Sequence, residues 1–410
     1  MPRVLAMKYG VQEIPLSFNK ETTRLTHIEP KANTSPDKLR ALLSSQLLAS
    51  LHGISDVGIV VADKTRLCEY PTYLPVITSF LLEAGILPSA ITFYIAYGTH
   101  VPQSEEECLS SYGETYKQFS FVHHNSRARE DFQTLGSTSR GTSIRVAKAV
   151  LQLDLLISFG AILHHYFAGY GGGRKLLFPG LAAYDSILEN HRLFLDFKAR
   201  KHTEGCASGE LDSNPLALDL EEINRVLPPR LEIHALLNSQ KQVCELYTGT
   251  SYKDFREVCQ RYDNYFRASV QEKYDLVVAS AGGYPKDINF IQAHKSIHNA
   301  ASFVKNGGKL VIFVECSDGL GNPDFMDIFR WGEREQIFEH LEDKYRNNAG
   351  TALSMLEKSE RIDIQLVTSL SNEECELMGA SKCAAEDVQR LIDKERDPVA
   401  ILENAGMLYS

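Results

Sequence analysis

Hydrophobic positions along this chain fall into short runs separated by stretches of helical spacing. Val57 to Ala62, Ile91 to Tyr97 and Leu153 to Phe159 are largely apolar, the pattern of strands buried on both faces. Leu74 to Ala84, between the first two, repeats apolar residues at helical intervals. This alternation predicts βαβ units, and with them an α/β fold of mostly parallel sheets covered by helices. Residues 1–20 differ: two short strands turn at Tyr9-Gly10, the second running from Val11 to Phe18 with partial alternation. Such a hairpin belongs at a domain edge. Phe197 to Pro215 is polar and rich in Gly, Ser and charge, which predicts a long surface loop or lid. The charged helical pattern from Tyr252 to Asp275 gives way to new apolar runs at Asp275 to Ser280 and Lys309 to Val314. That restart predicts two α/β domains, 1–268 and 269–410, with an active-site cleft between them.

Length agrees with two domains, because 410 residues exceed what one hydrophobic core usually serves. A hydrophobic fraction of 43% and a charged fraction of 23% place the chain among globular proteins rather than disordered or membrane ones. The net charge of −10, with no compensating basic run, argues against nucleic acid as a partner. Eight scattered cysteines without a CxxC pair suggest neither a zinc cluster nor a disulfide framework. No signal-peptide core opens the chain and no apolar stretch is long enough for a membrane span. The expectation is a cytoplasmic protein.

The candidate chemistry sits just after the predicted strands, where open α/β sheets bind their ligands. Asp63-Lys64-Thr65-Arg66 follows the first strand; its guanidinium suits a carboxylate, and Asp63 and Thr65 suit a sugar or phosphate. A capping Asp beside a solvated Arg is the plainer alternative. Gly98-Thr99-His100 places an imidazole at the next strand tip, and a histidine there also has structural uses. The third strand leads into Gly160 to Lys175, which holds His164, His165 and the run Gly171-Gly172-Gly173-Arg174-Lys175, and then Phe178-Pro179-Gly180. Glycines this dense lower stability unless positive φ or close approach is needed, and a glycine run feeding a helix presents N–H groups to phosphate. It is not a P-loop, since Ala168, Arg174 and Lys175 occupy the positions of that motif's first glycine, lysine and hydroxyl residue. A flexible surface loop is the alternative. His191 is either a metal ligand or a solvated helix residue. After the strand at Asp275 to Ser280 comes Gly282 to Lys295, with Asp287 expected as an N-cap and Gln292 and Lys295 sharing a helix face.

In this order and spacing the segments resemble the lactate racemase family over most of the chain: Asp63-x-Thr65-Arg66, Gly98-Thr99-His100, His165 ten residues before Lys175, Phe178-Pro179-Gly180, His191, and Gly283-x-Pro285-x-Asp287 ahead of Gln292 and Lys295. The resemblance implies a racemase or epimerase of a 2-hydroxyacid that works by reversible hydride transfer through a 2-ketoacid. It implies as cofactors nickel and a nickel pincer nucleotide, pyridinium-3-thioamide-5-thiocarboxylic acid mononucleotide, attached covalently at Lys175. His191 would ligate nickel; Asp63, Thr65, Gly171, Gly172 and Gly173 would cradle the nucleotide. His100 and His165 would be the acid/base pair, with His164 the neighbouring alternative to the latter, and Arg66, Gln292 and Lys295 would hold the substrate. Cofactor-synthesis enzymes are the implied partners. The family often has an aromatic residue before the glutamine and a proline after the arginine, where this chain has Ile291 and Leu67; these departures point to a lactate-like substrate with a side chain larger than methyl. The alternatives are a non-catalytic nucleotide- or cofactor-binding homologue, a nucleotide-dependent dehydrogenase, or a zinc hydrolase built from His100, His165 and His191. The missing GxGxxG and HExxH motifs weigh against the last two.

Overall fold

The computed structural model describes residues 3–18, 22–47, 51–228, 230–268, 272–322 and 324–409. The chain forms two compact units: Glu29–Leu193 with Glu204–Asn264, and Met1–Ile28 with Phe194–Thr203 and Tyr265–Ser410. This differs from a division at 268 in two places, since residues 1–28 and 194–203 go with the C-terminal part. Residues 269–271, beside the expected boundary, lie outside the described residues, as do the first two residues of the chain.

The larger unit is built on a sheet that has six strands among the described residues, in the order Val243–Gly249, Leu231–Leu237, Leu155–Ala161, Val57–Ala62, Ile91–Ala96 and Ser120–His123. All neighbours are parallel except the antiparallel pair Leu231–Leu237 and Val243–Gly249. Val57–Ala62 is buried throughout, as its unbroken apolar run requires of a central parallel strand. Strand order reverses between Val57–Ala62 and Leu155–Ala161, which makes their carboxyl ends a topological switch point. Two tyrosines anchor these ends. Tyr70 hydroxyl donates to Phe159 O (2.8 Å) and accepts from Ala62 N–H (2.7 Å), while Tyr112 hydroxyl donates to Ala62 O (3.0 Å).

The smaller unit has an all-parallel sheet, again six-stranded among the described residues: Ser381–Lys382, Asp363–Val367, Val304–Phe313, Tyr274–Ser280, Val399–Leu402 and Thr22–Arg24. The N-terminal hairpin, Arg3–Tyr9 with Gln12–Phe18, packs Leu5, Met7, Leu16 and Phe18 into one core with Leu276, Val278, Val311 and Phe313. This burial, together with the Thr22–Arg24 strand, is why residues 1–28 join this unit. Phe197 to Pro215, expected as a surface loop or lid, is largely irregular chain that is anchored at several points. Leu211 and Asn214 are buried, Gly209 N–H donates to Gly169 O (3.0 Å), and Asn214 caps the helix Pro215–Val226 while donating to Phe167 O (2.9 Å). No helix among the described residues is long and apolar enough to cross a membrane.

Candidate active site

Three strands of the larger unit end at one pocket. It is an open cavity of about 720 Å³, the space at its mouth included, lined by Asp63 and Arg66 after the first strand, Tyr97 to His100 after the second, and His165, Gly171, Gly172 and Lys175 after the third. Pro179, Gly180 and His191 complete the wall.

Asp63 caps the short 3₁₀ turn Lys64–Arg66, accepting from Thr65 N–H (2.8 Å) and Thr65 hydroxyl (2.6 Å). Its other oxygen lies 2.5 Å from His100 Nδ1. Burial raises the Asp63 carboxyl, but His100, Arg66 and Thr65 outweigh that effect and hold it well below the usual carboxylate range. The ionised carboxylate accepts from His100 and keeps an imidazole proton on Nδ1. The sequence pattern points Asp63 at the nucleotide and misses this pairing; nothing in the spacing of residues 63 and 100 announces it.

His164 and His165 lie on the strand Leu163–His165, paired antiparallel with Gly169–Gly171. Neighbours on a strand face opposite ways, and His165 is the one that lines the pocket. It is 8% exposed, and Ala168 N–H approaches its Nδ1 at 3.4 Å. Phe167, also missed in the sequence, packs edge-on against both His165 (4.4 Å) and His191 (5.2 Å), and Lys175 Nζ lies 5.5 Å from its ring centre. His191 sits near the end of the helix Tyr184–Arg192. That helix is tied down by its buried Asn190, which donates to Asp219 (2.8 Å), itself held by Thr142 hydroxyl (2.8 Å). Burial, then the charges of Lys175 and His100, push the His191 pKa down to about 3, so its imidazole is neutral and able to coordinate a metal.

The glycine run departs from the expectation in what it feeds. It feeds a four-residue 3₁₀ turn, Gly173–Leu176, rather than an α-helix. Gly172, at φ +75°, is there for close approach: a Cβ would stand 2.2 Å from Ala161 O. Gly173 is not in the pocket wall; a Cβ there would meet the Phe255 ring at 2.5 Å. Thr65 is likewise outside the wall and is exposed, its hydroxyl spent on Asp63. Gln292 and Lys295 lie on the helix Phe290–Ala301 of the smaller unit, where Lys295 Nζ donates to Gln292 Oε1 (2.6 Å). That helix is capped by Asn289, whose side chain accepts from Gln292 N–H (3.1 Å). Asp287, expected as the cap, stands too early in the chain; it is 1% exposed and accepts from Gly10 N–H (2.8 Å) and Glu315 N–H (3.3 Å).

The donor set discriminates between ways of holding a metal. Among the described residues no three His, Cys, Asp or Glu side chains gather to hold an ion, which disfavours a zinc site built from His100, His165 and His191. A neutral imidazole and a lysine in one pocket fit a metal whose other donors come with a bound organic group.

Fold and pocket together define a parallel-sheet α/β protein with its ligand site at a switch point. The lactate racemase N-terminal domain matches residues 9–202 and the lactate racemase C-terminal domain matches residues 270–353. The chain belongs to the lactate racemase family. It is 28% identical over 281 residues to the lactate racemase of Thermoanaerobacterium thermosaccharolyticum and 29% identical over 288 residues to that of Lactiplantibacillus plantarum. These alignments take in 68% and 69% of this chain, and the chain spans 63% and 65% of the length of the two relatives. The solved structure of the lactate racemase apoprotein from Thermoanaerobacterium thermosaccharolyticum superposes with a TM-score of 0.86, at 23% identity over 99% of both chains. A Thermotoga maritima protein superposes with a TM-score of 0.71 at 16% identity, covering 93% of this chain and 99% of that one.

Proposed function

We propose that this protein is an isomerase that racemises or epimerises a 2-hydroxyacid, with a nickel pincer nucleotide attached at Lys175 and nickel ligated by His191. What supports the reading is the convergence of His100, His165, Lys175 and His191 on one pocket in a chain of this family. When bound, that group supplies a reversible acceptor for the Cα hydride. The residues do the rest. His100, oriented by Asp63, takes the substrate hydroxyl proton at Nε2, and the C–O bond becomes the carbonyl of a planar 2-ketoacid. His165 serves as the second acid/base group, so that a proton is available at either face of the ketoacid. Arg66 pairs with the substrate carboxylate. The duty proposed for Gln292 and Lys295 toward that carboxylate rests on the family resemblance, as do a substrate larger than lactate, the cytoplasmic location and the dependence on cofactor-synthesis enzymes.

The test is to co-produce the chain with the enzymes that make the pincer nucleotide, then measure intact mass, nickel content and a chiral screen of 2-hydroxyacids. A mass adduct lost in Lys175→Ala, stoichiometric nickel, and loss of turnover but not nickel in His100→Ala are the expected results. Absence of adduct and nickel in a functioning biosynthetic host refutes the reading and favours a nucleotide-binding homologue.

A further inference from the structure

The hairpin that carries His165 into the pocket bears, on its other face, a network that the proposed reaction does not use. His164 pairs across the hairpin with Tyr170, so their side chains leave on the same side. Both end on Asp263 of the helix Tyr252–Phe266: His164 Nε2 bonds Oδ1 at 2.8 Å, and Tyr170 hydroxyl donates to Oδ2 at 2.6 Å. The His164 side chain is 6% exposed and that of Asp263 21%. Tyr262, one residue before Asp263, sets its ring edge-on to His164 at 4.7 Å. Each oxygen of one carboxylate therefore holds a different strand of the hairpin, and does so from a helix outside it.

On the pocket face His165 stands opposite Gly169, which has no side chain to pack across the pair; a Cβ there would strike Glu210 O at 2.2 Å. A short hairpin with a glycine on one face specifies its register weakly, and a slip of one residue would exchange His164 for His165. The carboxylate behind the hairpin grips both strands at once, through residues that such a slip would displace.

We infer that Asp263 is a positioning residue for the proposed reaction: through His164 and Tyr170 it sets the hairpin register and so the approach of His165 to substrate. The inference rests on the racemase reading of this pocket. Small displacements of a reacting group lower rates by as much as about 100-fold, and Asp263 acts on the acid/base group without touching Arg66, so its effect falls on kcat.

The test uses the full chain loaded with cofactor in a host that makes it, and the substrate found in the chiral screen. Asp263→Ala is expected to lower kcat by roughly 10- to 100-fold, with KM held within about threefold and the Lys175 mass adduct retained. Asp263→Asn, which can still accept from His164, is expected to recover part of the loss. Tyr170→Phe, which removes one hydroxyl and little packing, is expected to lower kcat by a smaller factor. In a His165→Gln background Asp263→Ala is expected to add no further loss, because the two act as a unit. In the unloaded chain, amide exchange across residues 163–171 is expected to quicken in Asp263→Ala. A kcat unchanged in both Asp263→Ala and Tyr170→Phe, or a loss that multiplies with that of His165→Gln, overturns the inference. If Asp263→Ala does not fold, Tyr170→Phe decides alone. A loaded wild-type chain that racemises no 2-hydroxyacid overturns the racemase reading, and the inference with it; an active wild type with undiminished variants overturns the positioning role only.

Discussion

Asp63→Asn is the substitution that most directly probes the acid/base geometry. Asp63 is 3% exposed, and its side chain is nearly isosteric with the replacement, so packing is preserved. What changes is the acceptor 2.5 Å from His100 Nδ1. Hydrogen bonds to a charged group are worth about 1.5–3 kcal/mol, which corresponds to roughly 10- to 150-fold in rate if the bond is needed in the transition state. The His100 side chain is 37% exposed, and water can partly replace the lost interaction, so the expected fall in kcat is about 10- to 50-fold. An amide that turns its NH₂ toward Nδ1 would put the imidazole proton on Nε2 and remove the base, deepening the loss. The assay is chiral chromatography of the loaded enzyme over a range of substrate concentrations, with the Lys175 adduct checked by mass. The same carboxyl gives a second measurement. Its pKa is depressed on folding, so it contributes stability above the ordinary carboxylate pKa of about 3.9, and that contribution drains away as pH falls below this value. The gap in Tm between wild type and Asp63→Asn should therefore be widest near neutrality and shrink below about pH 4. A kcat within threefold of wild type, or a Tm gap constant from neutral to acid pH, refutes the pairing.

Gly172→Ala should destabilise the chain by about 2 kcal/mol or more in urea unfolding, since φ is +75° and the new Cβ lands 2.2 Å from Ala161 O; an unchanged midpoint would mean the turn is not held as described. His124 is buried with Nε2 donating to Ala182 O (3.0 Å), and burial pushes its pKa down to about 4. Its folded pKa lies below the unfolded one, so stability should fall as pH drops from about 6.5 to 4, by up to about 3 kcal/mol, and His124→Gln should flatten that slope in pH-dependent denaturation. Lys175→Ala should leave the unloaded chain's Tm within a few degrees of wild type, because the side chain is only part-buried at a pocket wall; a collapse in Tm would make the lysine structural.

Much of this protein was legible along the chain because its central strands are short apolar runs buried on both faces, and runs of that length and composition fit little besides a parallel strand. Val57–Ala62 and Ile91–Ala96 fall where the pattern predicts, and Leu155–Ala161 lies two residues later. The polar segments after these strands are where the pocket forms, since parallel strands point their carboxyl ends the same way. The partners of those residues were not legible. Asp63 meets His100 and His164 meets Asp263 across 37 and 99 residues, and no local periodicity encodes such contacts. The anchoring of Phe197 to Pro215 was hidden for the same reason, its polar composition giving no sign that Asn214 bonds the Phe167 carbonyl from inside the fold.

The secondary-structure periods, the family and the residue types available for chemistry can all be read along the chain, because these depend on local spacing and side-chain identity. Which of two adjacent histidines enters the pocket, which carboxylate pairs with His100, that Gly173 and Thr65 stay outside the wall, and that the N-terminal hairpin packs on the C-terminal sheet emerge only from the tertiary structure. Each of these is settled by packing between segments distant in the chain, where close approach, burial and charge balance select one arrangement from several that the local pattern permits.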